Sequence, residues 1–322
     1  MAPFTFQDPL AYACGSATAL MKKIAFIGLG SMGGSMAGRL LEKGFVLTVW
    51  NRTAAKAEEL VKKGARRAGS PGEAAAGADA VITIVANDDA LRQVTRGEAG
   101  LLAAVAPGAV HLSMSTVSAG VTEELAAAHR ENGAQFLAAP VFGSRESAGV
   151  GKLWGAASGP REVFERCRPV LEALTQQLIY LDENVASAAR MKIVVNSLIS
   201  AATAAMAQTF TLAERSGLEA DKLMEVIRAV FNSPVYERWG SKMAAREYSV
   251  YFPLSLMLKD VNLVLQMGAE AGVALPHAAA TREMIVAGVG QGYGDADAAT
   301  ALLRAWEAAC GASPAGRESA GS

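Results

Sequence analysis

Two short apolar runs, at residues 22–27 and 45–50, enclose a glycine-rich turn and a helical pattern, and this arrangement constrains the fold more than any other feature. Residues 32–43 have helical spacing, and Gly44 supplies a helix stop. A strand, a helix and a strand within about thirty residues predict a βαβ unit, which requires a parallel sheet and a right-handed crossover. The chain is therefore predicted to begin with a parallel sheet covered by helices.

The turn at residues 28–33 carries the G-x-G-x-x-G pattern in the strand–turn–helix context that the pattern requires. In such a turn the first glycine allows the tight bend and the second lets backbone amides approach a pyrophosphate, while the third lets the helix pack closely on the strand. The positive end of the helix dipole attracts the same anion. The whole turn is therefore predicted to bind a dinucleotide, through Gly28, Leu29, Gly30, Ser31, Met32 and Gly33.

The end of the second strand carries Asn51, Arg52 and Thr53, and it carries no carboxylate. A site selective for NAD places Asp or Glu there to bond the ribose 2′-hydroxyl, whereas an arginine can pair with the 2′-phosphate of NADP in a planar, charge-assisted contact. These three residues are therefore predicted to contact the cofactor, with NADP(H) preferred over NAD(H); the alternative is that Arg52 is a solvated loop residue. The adenine–ribose side of the cofactor is predicted to contact Val85, Ala86 and Asn87.

The alternation of strands and helices continues to residue 181 and then stops. Further strands are predicted at 80–85, 110–113, 135–138, 152–157 and 178–181, with helices at 54–63, 90–95, 118–132 and 160–174. Beyond Asp182 only alanine-rich helical stretches follow, at about 186–215, 220–231, 254–271 and 277–290. The pattern predicts an α/β fold: an N-terminal Rossmann doubly wound parallel sheet, with an extra strand or two at one edge, followed by an all-α C-terminal domain.

The same change of pattern sets the predicted domain boundaries. Residues 21–183 are the dinucleotide-binding Rossmann domain, and residues 184–310 are an all-helical domain for substrate binding and dimerisation. Residues 1–20 contain no Lys or Arg, so they are interpreted as an extension or tag rather than a secretory or transit peptide. Residues 311–322 are interpreted as a flexible tail.

Composition limits the classes of partner. The formal net charge of −1 gives no basic excess, so no nucleic-acid partner is predicted. The three cysteines and three histidines have no ligand spacing, so neither a metal site nor a disulfide framework is predicted, and the reducing cytoplasm is the expected location. Residues 193–213 are uncharged over a length that could span a bilayer, but their polar and alanine-rich composition favours a helix buried between protein layers over a membrane segment.

Four further landmarks follow the glycine-rich turn in order: Ser115-Thr116, residues 139–143, residues 192–196 and Lys259-Asp260. Together with the Asn-Arg-Thr triplet they resemble the β-hydroxyacid dehydrogenase family, which includes 3-hydroxyisobutyrate dehydrogenases and glyoxylate/succinic semialdehyde reductases. The resemblance covers residues 22–309. It implies a small-molecule substrate and a homodimer or dimer-based oligomer. The site residues that it implies are Ser115, Thr116, Phe142 and Gly143 for substrate binding, Lys192 and Asn196 for catalysis, and Thr116 and Lys259 for cofactor binding.

Lys192 also has a chemical rationale of its own. Lys192 and Asn196 are four residues apart on a predicted helix, so both side chains project from one face. Reduction of an aldehyde or ketone by hydride transfer leaves an alkoxide, which needs a proton. A desolvated lysine beside an oxidised nicotinamide has a lowered pKa, which suits it to general acid–base catalysis. The alternative is that Lys192 only extends its ammonium towards solvent at the start of a helix.

The sequence departs from the family pattern in the substrate-binding segment. The family usually reads Asp-Ala-Pro-Val-Ser-Gly-Gly, whereas residues 138–144 read Ala-Ala-Pro-Val-Phe-Gly-Ser. Phe142 thus replaces a serine whose small size and hydroxyl help to hold the substrate carboxylate, which predicts a pocket that is narrower, less polar or shaped for another group. Ala186 and Ala188 also stand where the family usually has glycines.

These observations predict an NADP(H)-dependent oxidoreductase that transfers a hydride between nicotinamide and a small carbonyl or β-hydroxy acid of the semialdehyde or glyoxylate type, with Lys192 as general acid and base. Two alternatives stay open. An imine reductase shares the fold and the Asn-Arg-Thr triplet but usually has Asp or Tyr at the lysine position. A non-catalytic NADP(H)-binding scaffold would keep the fold without turnover.

Overall fold

A computed structural model describes residues 21–311, so the predicted extension at 1–20 and all but the first residue of the predicted tail lie outside the described residues. Six strands form a parallel sheet: β1 (Lys23–Ile27), β2 (Val46–Trp50), β3 (Arg66–Arg67), β4 (Ala80–Thr83), β5 (Val110–Ser113) and β6 (Gln135–Ala138). Their spatial order is β3–β2–β1–β4–β5–β6. The strand order reverses between β1 and β4, and ligands of such sheets bind outside the carboxyl ends of the strands at that point. The predicted Rossmann fold is confirmed.

Helices cover both faces of this sheet. They are α1 (Ser31–Glu42), α2 (Glu58–Lys62), α3 (Pro71–Ala75), α4 (Asp88–Arg96), α5 (Ala119–Glu131), α6 (Arg145–Gly149) and α7 (Arg161–Leu174), with 3-10 turns at Ala54–Ala57 and Leu101–Ala103. Because side chains alternate along a strand, β1 contributes to two cores. Ile24 and Phe26 pack in the core that includes α1 and α7, and Ala25 and Ile27 pack in the core that includes α4 and α5.

The extra strands differ from the prediction, because they form a sheet of their own rather than extending one edge of the main sheet. This sheet consists of β7 (Val141–Phe142), β8 (Leu153–Ala157) and β9 (Thr175–Tyr180). β7 runs antiparallel to β8, and β8 runs parallel to β9. Ala138 of β6 and Ser158 exchange two backbone hydrogen bonds, of 3.1 and 2.9 Å, and so join the small sheet to the main one.

The rest of the described chain is helical. Its helices are α8 (Ser187–Arg215), α9 (Ala220–Phe231), α10 (Pro234–Ala244), α11 (Leu254–Ala271), α12 (Pro276–Gly288) and α13 (Ala298–Ala309), with a π-helical turn at Val289–Tyr293. α8 has 29 residues and is therefore about 44 Å long. It contacts α5 and β8 in the N-terminal region and α10, α11 and α13 in the helical region. The helical character of this region is confirmed, although α10 and α13 were not predicted.

α8 is long and apolar enough to meet the length and hydropathy criteria for a membrane span, and 44% of the residues in an 18-residue window are buried within the protein. Its buried face carries Lys192, Thr203 and Thr211. The two threonine hydroxyls each donate to a carbonyl one turn earlier, which satisfies them inside the core. The opposite face exposes Val194 and Leu198. The helix is therefore packed on one side and open on the other within the single chain.

Candidate active site

The glycine-rich turn leaves β1 at the point where the strand order reverses, and it leads into α1. Gly28 has a φ of 100°, and a Cβ atom there would lie 2.2 Å from the carbonyl oxygen of Ile84. A Cβ atom on Gly33 would lie 2.0 Å from the carbonyl oxygen of Gly28, whereas one on Gly30 would meet no atom within 4 Å. Gly28 and Gly33 therefore allow the turn and the helix to pack closely on their neighbours, and Gly30 leaves open space above the N-terminus of α1. This geometry fits a dinucleotide pyrophosphate.

The triplet at the end of β2 has two different tasks. Asn51 accepts a hydrogen bond from the backbone amide of Leu29 at 2.8 Å and donates to the carbonyl of Thr53 at 3.0 Å, so it fixes the shape of the turn. Arg52 is exposed and forms no ion pair with residues 21–311. Lys56, which the sequence reasoning did not select, lies on the next turn and lines a cleft of about 540 Å³ together with Leu29, Gly30 and Ser31. Met32 is half-buried against the core under the turn.

Residues 85–87 follow β4 at the same edge of the sheet. The amide of Val85 donates to the hydroxyl of Ser115 at 2.9 Å, and Asn87 caps α4 by accepting from the amide of Ala90. Ala86 and Asn87 are exposed. The structure thus uses the Ser115 side chain to join the ends of β4 and β5, and it does not bring Ser115 into the cavity that contains Lys192.

A buried histidine pair lies behind these strand ends. Nδ1 of His129 is 2.7 Å from the carbonyl oxygen of Leu125, which can only accept, so this nitrogen donates. In the neutral pair, Nε2 of His129 then accepts from Nδ1 of His111 at 3.1 Å, and Nε2 of His111 accepts from the hydroxyl of Thr83 at 2.8 Å. Burial lowers the pKa of both histidines, that of His111 strongly. Among residues 21–311 no three His, Cys, Asp or Glu side chains are grouped so as to hold a metal ion.

Lys192 lies on the first turns of α8 with a relative exposure of 9%. Its ammonium donates to the backbone carbonyl of Val141 at 2.9 Å and lies 4.1 Å from the centre of the Phe142 ring. Burial lowers the pKa of Lys192 to about 8, against the opposing effect of the nearby Asp260 carboxylate. Lys192 is therefore buried rather than extended into solvent, and it can exchange a proton near neutral pH.

Asn196 lies one turn further along the same face of α8. Its Nδ2 donates to Oδ2 of Asp260 at 2.7 Å, and the other Asp260 oxygen is 2.5 Å from the ammonium of Lys259. Lys259 in turn donates to the carbonyl of Thr116 at 2.6 Å, at the carboxyl end of β5. Lys259 and Asp260 of α11 thus connect Asn196, beside Lys192, to the edge of the sheet where the cofactor is predicted to bind. The family resemblance places the Lys259-Asp260 pair near the cofactor, but only Lys259 was selected as a site residue.

A cavity of about 420 Å³ contains this group and lies between β7, α8, α10 and the loop before α11. It brings together four of the predicted site residues, namely Phe142, Gly143, Lys192 and Asn196. The cavity is also lined by four further aromatic residues, Trp154, Trp239, Tyr251 and Phe252, and by polar side chains that include Lys152, Gln176 and Arg238. The prediction of a less polar pocket agrees with this lining, since the ring of Phe142 forms the wall beside the Lys192 ammonium.

The cavity is also lined by Tyr251 and Arg238, neither of which was selected from the sequence. The Tyr251 hydroxyl donates to the carbonyl of Gly143 at 2.9 Å and accepts a hydrogen bond from the Arg238 guanidinium. The loop that carries Tyr251 is held by Asp297 at the start of α13, whose carboxylate accepts from the amides of Tyr251 and Phe252 at 2.9 and 3.3 Å. Asp297 is fully buried although it is distant in sequence from this loop.

Comparison with known proteins identifies the fold and the helical region together. Residues 23–182 match the family described as the NAD binding domain of 6-phosphogluconate dehydrogenase, and residues 186–306 match the family described as NAD-binding of NADP-dependent 3-hydroxyisobutyrate dehydrogenase. The chain belongs to the 3-hydroxyisobutyrate dehydrogenase family. It is an oxidoreductase that binds a nicotinamide dinucleotide, and the predicted resemblance is confirmed.

Individual members of this family are similar over nearly their whole length. The chain is 41% identical to the uncharacterized oxidoreductase YfjR of Bacillus subtilis (strain 168), over 85% of this chain and 96% of that protein. It is 33% identical to glyoxylate/succinic semialdehyde reductase 1 of Arabidopsis thaliana, over 85% of this chain and 95% of that protein. The crystal structure of 3-hydroxyisobutyrate dehydrogenase (ygbJ) from Salmonella typhimurium superimposes with a TM-score of 0.82 at 27% identity, over 87% and 98% of the two chains.

Proposed function

We propose that this member of the 3-hydroxyisobutyrate dehydrogenase family uses NADP(H) to reduce a small aldehyde or keto acid, or to oxidise the corresponding hydroxy acid, with Lys192 as the general acid and base. The observation that carries the proposal is the buried ammonium of Lys192, whose pKa is lowered to about 8 in a cavity beside the dinucleotide-binding edge of the sheet. A lysine with that pKa can both give and take a proton near neutral pH.

Bound NADPH would supply the hydride that adds to the substrate carbon. Lys192 donates the proton that the resulting alkoxide oxygen needs, so that the carbonyl becomes an alcohol and the lysine becomes neutral. The carbonyl of Val141 holds Nζ in place during this exchange. Asn196 uses one Nδ2 proton to bond Asp260, which leaves its second proton and its Oδ1 for the substrate oxygen. In oxidation the same groups act in reverse, and neutral Lys192 removes the hydroxyl proton.

The preference for NADP(H) rests on the end of β2. Arg52 is exposed there without an ion-pair partner among residues 21–311, and Lys56 stands on the next turn beside the cleft that contains Gly30 and Ser31. These two cations, with no carboxylate among residues 51–53 at the strand end, favour a 2′-phosphate over a free 2′-hydroxyl. Gly28, Gly30 and Gly33 would hold the pyrophosphate, with Lys259 at the nicotinamide side.

A substrate panel tests the proposed reaction. The full chain is assayed by the loss of NADPH or NADH absorbance with succinic semialdehyde, glyoxylate, 3-hydroxyisobutyrate in the oxidative direction, and a cyclic imine. We expect turnover of at least one oxo acid with NADPH and none of the imine. Imine turnover without aldehyde turnover supports an imine reductase instead. NADPH binding without any turnover supports a non-catalytic scaffold.

We propose further that the chain forms a homodimer in the cytoplasm through the open face of α8. An apolar groove of about 670 Å³ lies beside Leu198, which is 71% exposed, and its walls include Trp154 and Ile179. Contiguous exposed apolar surface is typical of a protein–protein interface. Val230 and Phe231 of α9 are also exposed, and we propose that these two side chains of one copy pack into the groove of the other copy.

Light scattering tests the proposed dimer. The measured mass of the wild-type protein should be twice the chain mass. Leu198→Glu should reduce the measured mass to that of one chain, whereas Val46→Glu, at a distant exposed valine, should leave it unchanged.

A further inference from the structure

Two polar groups of side chains line the cavity beside Lys192. One consists of Lys192, Asn196 and Asp260, and the other consists of Arg238 and Tyr251. The Phe142 ring, which lies against the Lys192 ammonium, offers no hydrogen-bond donor to an acid group. The only proton of the Tyr251 hydroxyl is donated to Gly143. Ser147, Gln176 and Ser200 are neutral, so the charge of a substrate carboxylate is matched best by a cation of the lining.

Arg238 has the geometry of such a donor. One nitrogen of its guanidinium donates to the Tyr251 hydroxyl, and its carbon lies 4.8 Å from the centre of the Tyr251 ring, so the group is held in place. It is half-buried, and within residues 21–311 no carboxylate lies at ion-pair distance from it. Glu146 is an acidic group whose pKa is affected by the charge of Arg238. The pKa of Glu146 is lowered mainly by hydrogen bonds from its own amide and from Ser144, and only weakly by Arg238.

The Lys192 ammonium and the Arg238 guanidinium are held at different residues of one segment. Lys192 is bonded to the carbonyl of Val141. Tyr251, which accepts a hydrogen bond from Arg238, is bonded to the carbonyl of Gly143. A substrate therefore meets the two cations through two separate functional groups, the reacting carbonyl and an acid group.

We propose that Arg238, positioned by Tyr251, is the residue that binds the substrate carboxylate and thereby selects oxo acids over uncharged aldehydes. A guanidinium can bind a carboxylate through two parallel hydrogen bonds, which neutralise the charge and fix the orientation of the acid group. Aromatic residues of the same cavity provide apolar surface for the carbon chain of the substrate. This inference rests on the proposed reduction of a carbonyl at Lys192.

Lys152 is the other cation at the cavity apart from Lys192 and Arg238. Its side chain is exposed, and an ammonium on a flexible stem provides a point charge rather than an oriented pair of donors. Arg238 is therefore preferred over Lys152 as the carboxylate-binding residue, and the two are distinguished experimentally.

The experiment compares two aldehydes of equal length with NADPH as donor: succinic semialdehyde, which has a terminal carboxylate, and butanal, which lacks it. The full-length variants are Arg238→Met, Lys152→Met and Arg215→Met, the last removing an exposed arginine at the end of α8 as a matched control. We expect Arg238→Met to lower kcat/KM for succinic semialdehyde by about 30- to 100-fold, mainly through KM, because a charge-assisted pair is lost. The kcat/KM of Arg238→Met for butanal should change by less than about threefold, and so should the kcat/KM of Arg215→Met for either substrate.

Two further measurements make the result specific. Tyr251→Phe, which removes only the hydroxyl that holds the guanidinium, should raise KM for succinic semialdehyde and leave that for butanal unchanged. Titration calorimetry of 4-hydroxybutyrate into the NADPH complex, in which no hydride transfer can occur, should lose its heat signal in Arg238→Met. A normal melting temperature and normal butanal turnover of the variant exclude misfolding.

Each possible failure has a distinct meaning. The deciding quantity is the ratio of kcat/KM for succinic semialdehyde to kcat/KM for butanal. If Arg238→Met leaves this ratio unchanged, or if only Lys152→Met reduces it, Arg238 is not the carboxylate-binding residue. The proposed reaction is unaffected by that outcome. If the wild-type enzyme reduces neither aldehyde, nor glyoxylate, with NADPH, the proposed reaction itself fails and takes this inference with it.

Discussion

The ammonium of Lys192 in α8 donates to the main-chain carbonyl of Val141 in β7 at 2.9 Å, so the proposed general acid is anchored to the N-terminal region although its own helix begins the C-terminal one. Tyr251 and Lys259 make two bonds of the same kind, to the carbonyls of Gly143 and Thr116. All three acceptors are backbone atoms. Their positions are therefore set by the folded main chain of the first region rather than by side-chain rotamers, and the cavity depends on contact between the two regions.

The lowered pKa of Lys192 predicts opposite pH dependences for the two directions of the reaction. Reduction needs the protonated ammonium, so kcat/KM for the carbonyl should fall about tenfold per pH unit above about 8. Oxidation needs the neutral amine, so kcat/KM for the hydroxy acid should rise up to about pH 8 and then level off. Initial rates from pH 6 to 9.5 measure both limbs. If kcat/KM changes with pH in the same direction for reduction and for oxidation, Lys192 is not the titrating group.

Replacement of the lysine should affect chemistry far more than cofactor binding. Lys192→Met keeps the buried stem and removes the proton donor, so kcat should fall by about 10²- to 10⁴-fold in either direction. The dissociation constant for NADPH, measured by fluorescence, should change by less than about threefold, because the cofactor contacts proposed for the glycine-rich turn are unaltered. Lys222→Met, at an exposed lysine of α9, serves as the control and should retain full activity. A Lys192→Met enzyme with near-normal kcat would contradict the mechanism.

Arg52 should determine the choice between the two nicotinamide cofactors. Arg52→Glu replaces the cation with a carboxylate that repels a 2′-phosphate and can accept a hydrogen bond from a 2′-hydroxyl. The ratio of kcat/KM for NADPH to that for NADH should fall by at least about 100-fold, which corresponds to about 2.7 kcal/mol. Lys22→Glu makes the same change of charge at the opposite end of β1 and should leave the ratio unaltered. An unchanged ratio in Arg52→Glu would show that Arg52 is only a surface residue.

Adjacent glycines at the start of α1 provide a matched pair of substitutions. Gly33→Ala would place a methyl group 2.0 Å from the Gly28 carbonyl, so α1 must move away from β1 and the pyrophosphate site must widen. Gly34→Ala would place the same group where no atom lies within 4 Å. We expect calorimetry to give at least about a tenfold loss of NADPH affinity for Gly33→Ala and less than about a threefold change for Gly34→Ala. Equal effects of the two would mean that helix packing at Gly33 does not shape the site.

The buried histidine pair predicts a loss of stability in mild acid. Burial lowers the pKa of His111 and His129 below their unfolded value of about 6.5, so the folded state resists protonation. Their contribution is complete above that value and is lost as the pH falls below it, by up to about 1.4 kcal/mol per pH unit for each histidine. Urea unfolding from pH 7.5 to 5 should show this slope. His129→Gln should reduce it, and His277→Gln, at an exposed histidine, should not.

The parts of the fold that could be predicted are those with a sustained hydrophobic period. β1, α1 and β2 give clear strand and helix patterns, and the break after β9 separates the helical region. β3 has two residues and α3 has five, which is too short for a periodic signal. α10 begins with a Ser-Pro start signal but was missed, because its buried residues include Gly240 and Lys242, which interrupt the apolar stripe.

The candidate site divides in the same way. The glycine-rich turn, Arg52, Lys192 and Asn196 could be selected because each belongs to a local pattern of residue types and spacing. Arg238 and Tyr251 carry no such pattern, and they reach the cavity only through the packing of α10 and of the loop before α11. The hydroxyl of Ser115 could not be placed from sequence either, since its hydrogen bond to Val85 depends on the neighbouring position of β4 and β5.

Asp297 shows that residues distant in sequence support the cavity. Its carboxylate fixes the main chain that presents Tyr251, yet it lies at the start of α13 and does not line the cavity. We therefore expect substitutions at Asp297 to move the loop and, through Tyr251, the proposed carboxylate site at Arg238, although they leave every lining residue unchanged. Residue 297 is thus a remote position from which the substrate range can be engineered.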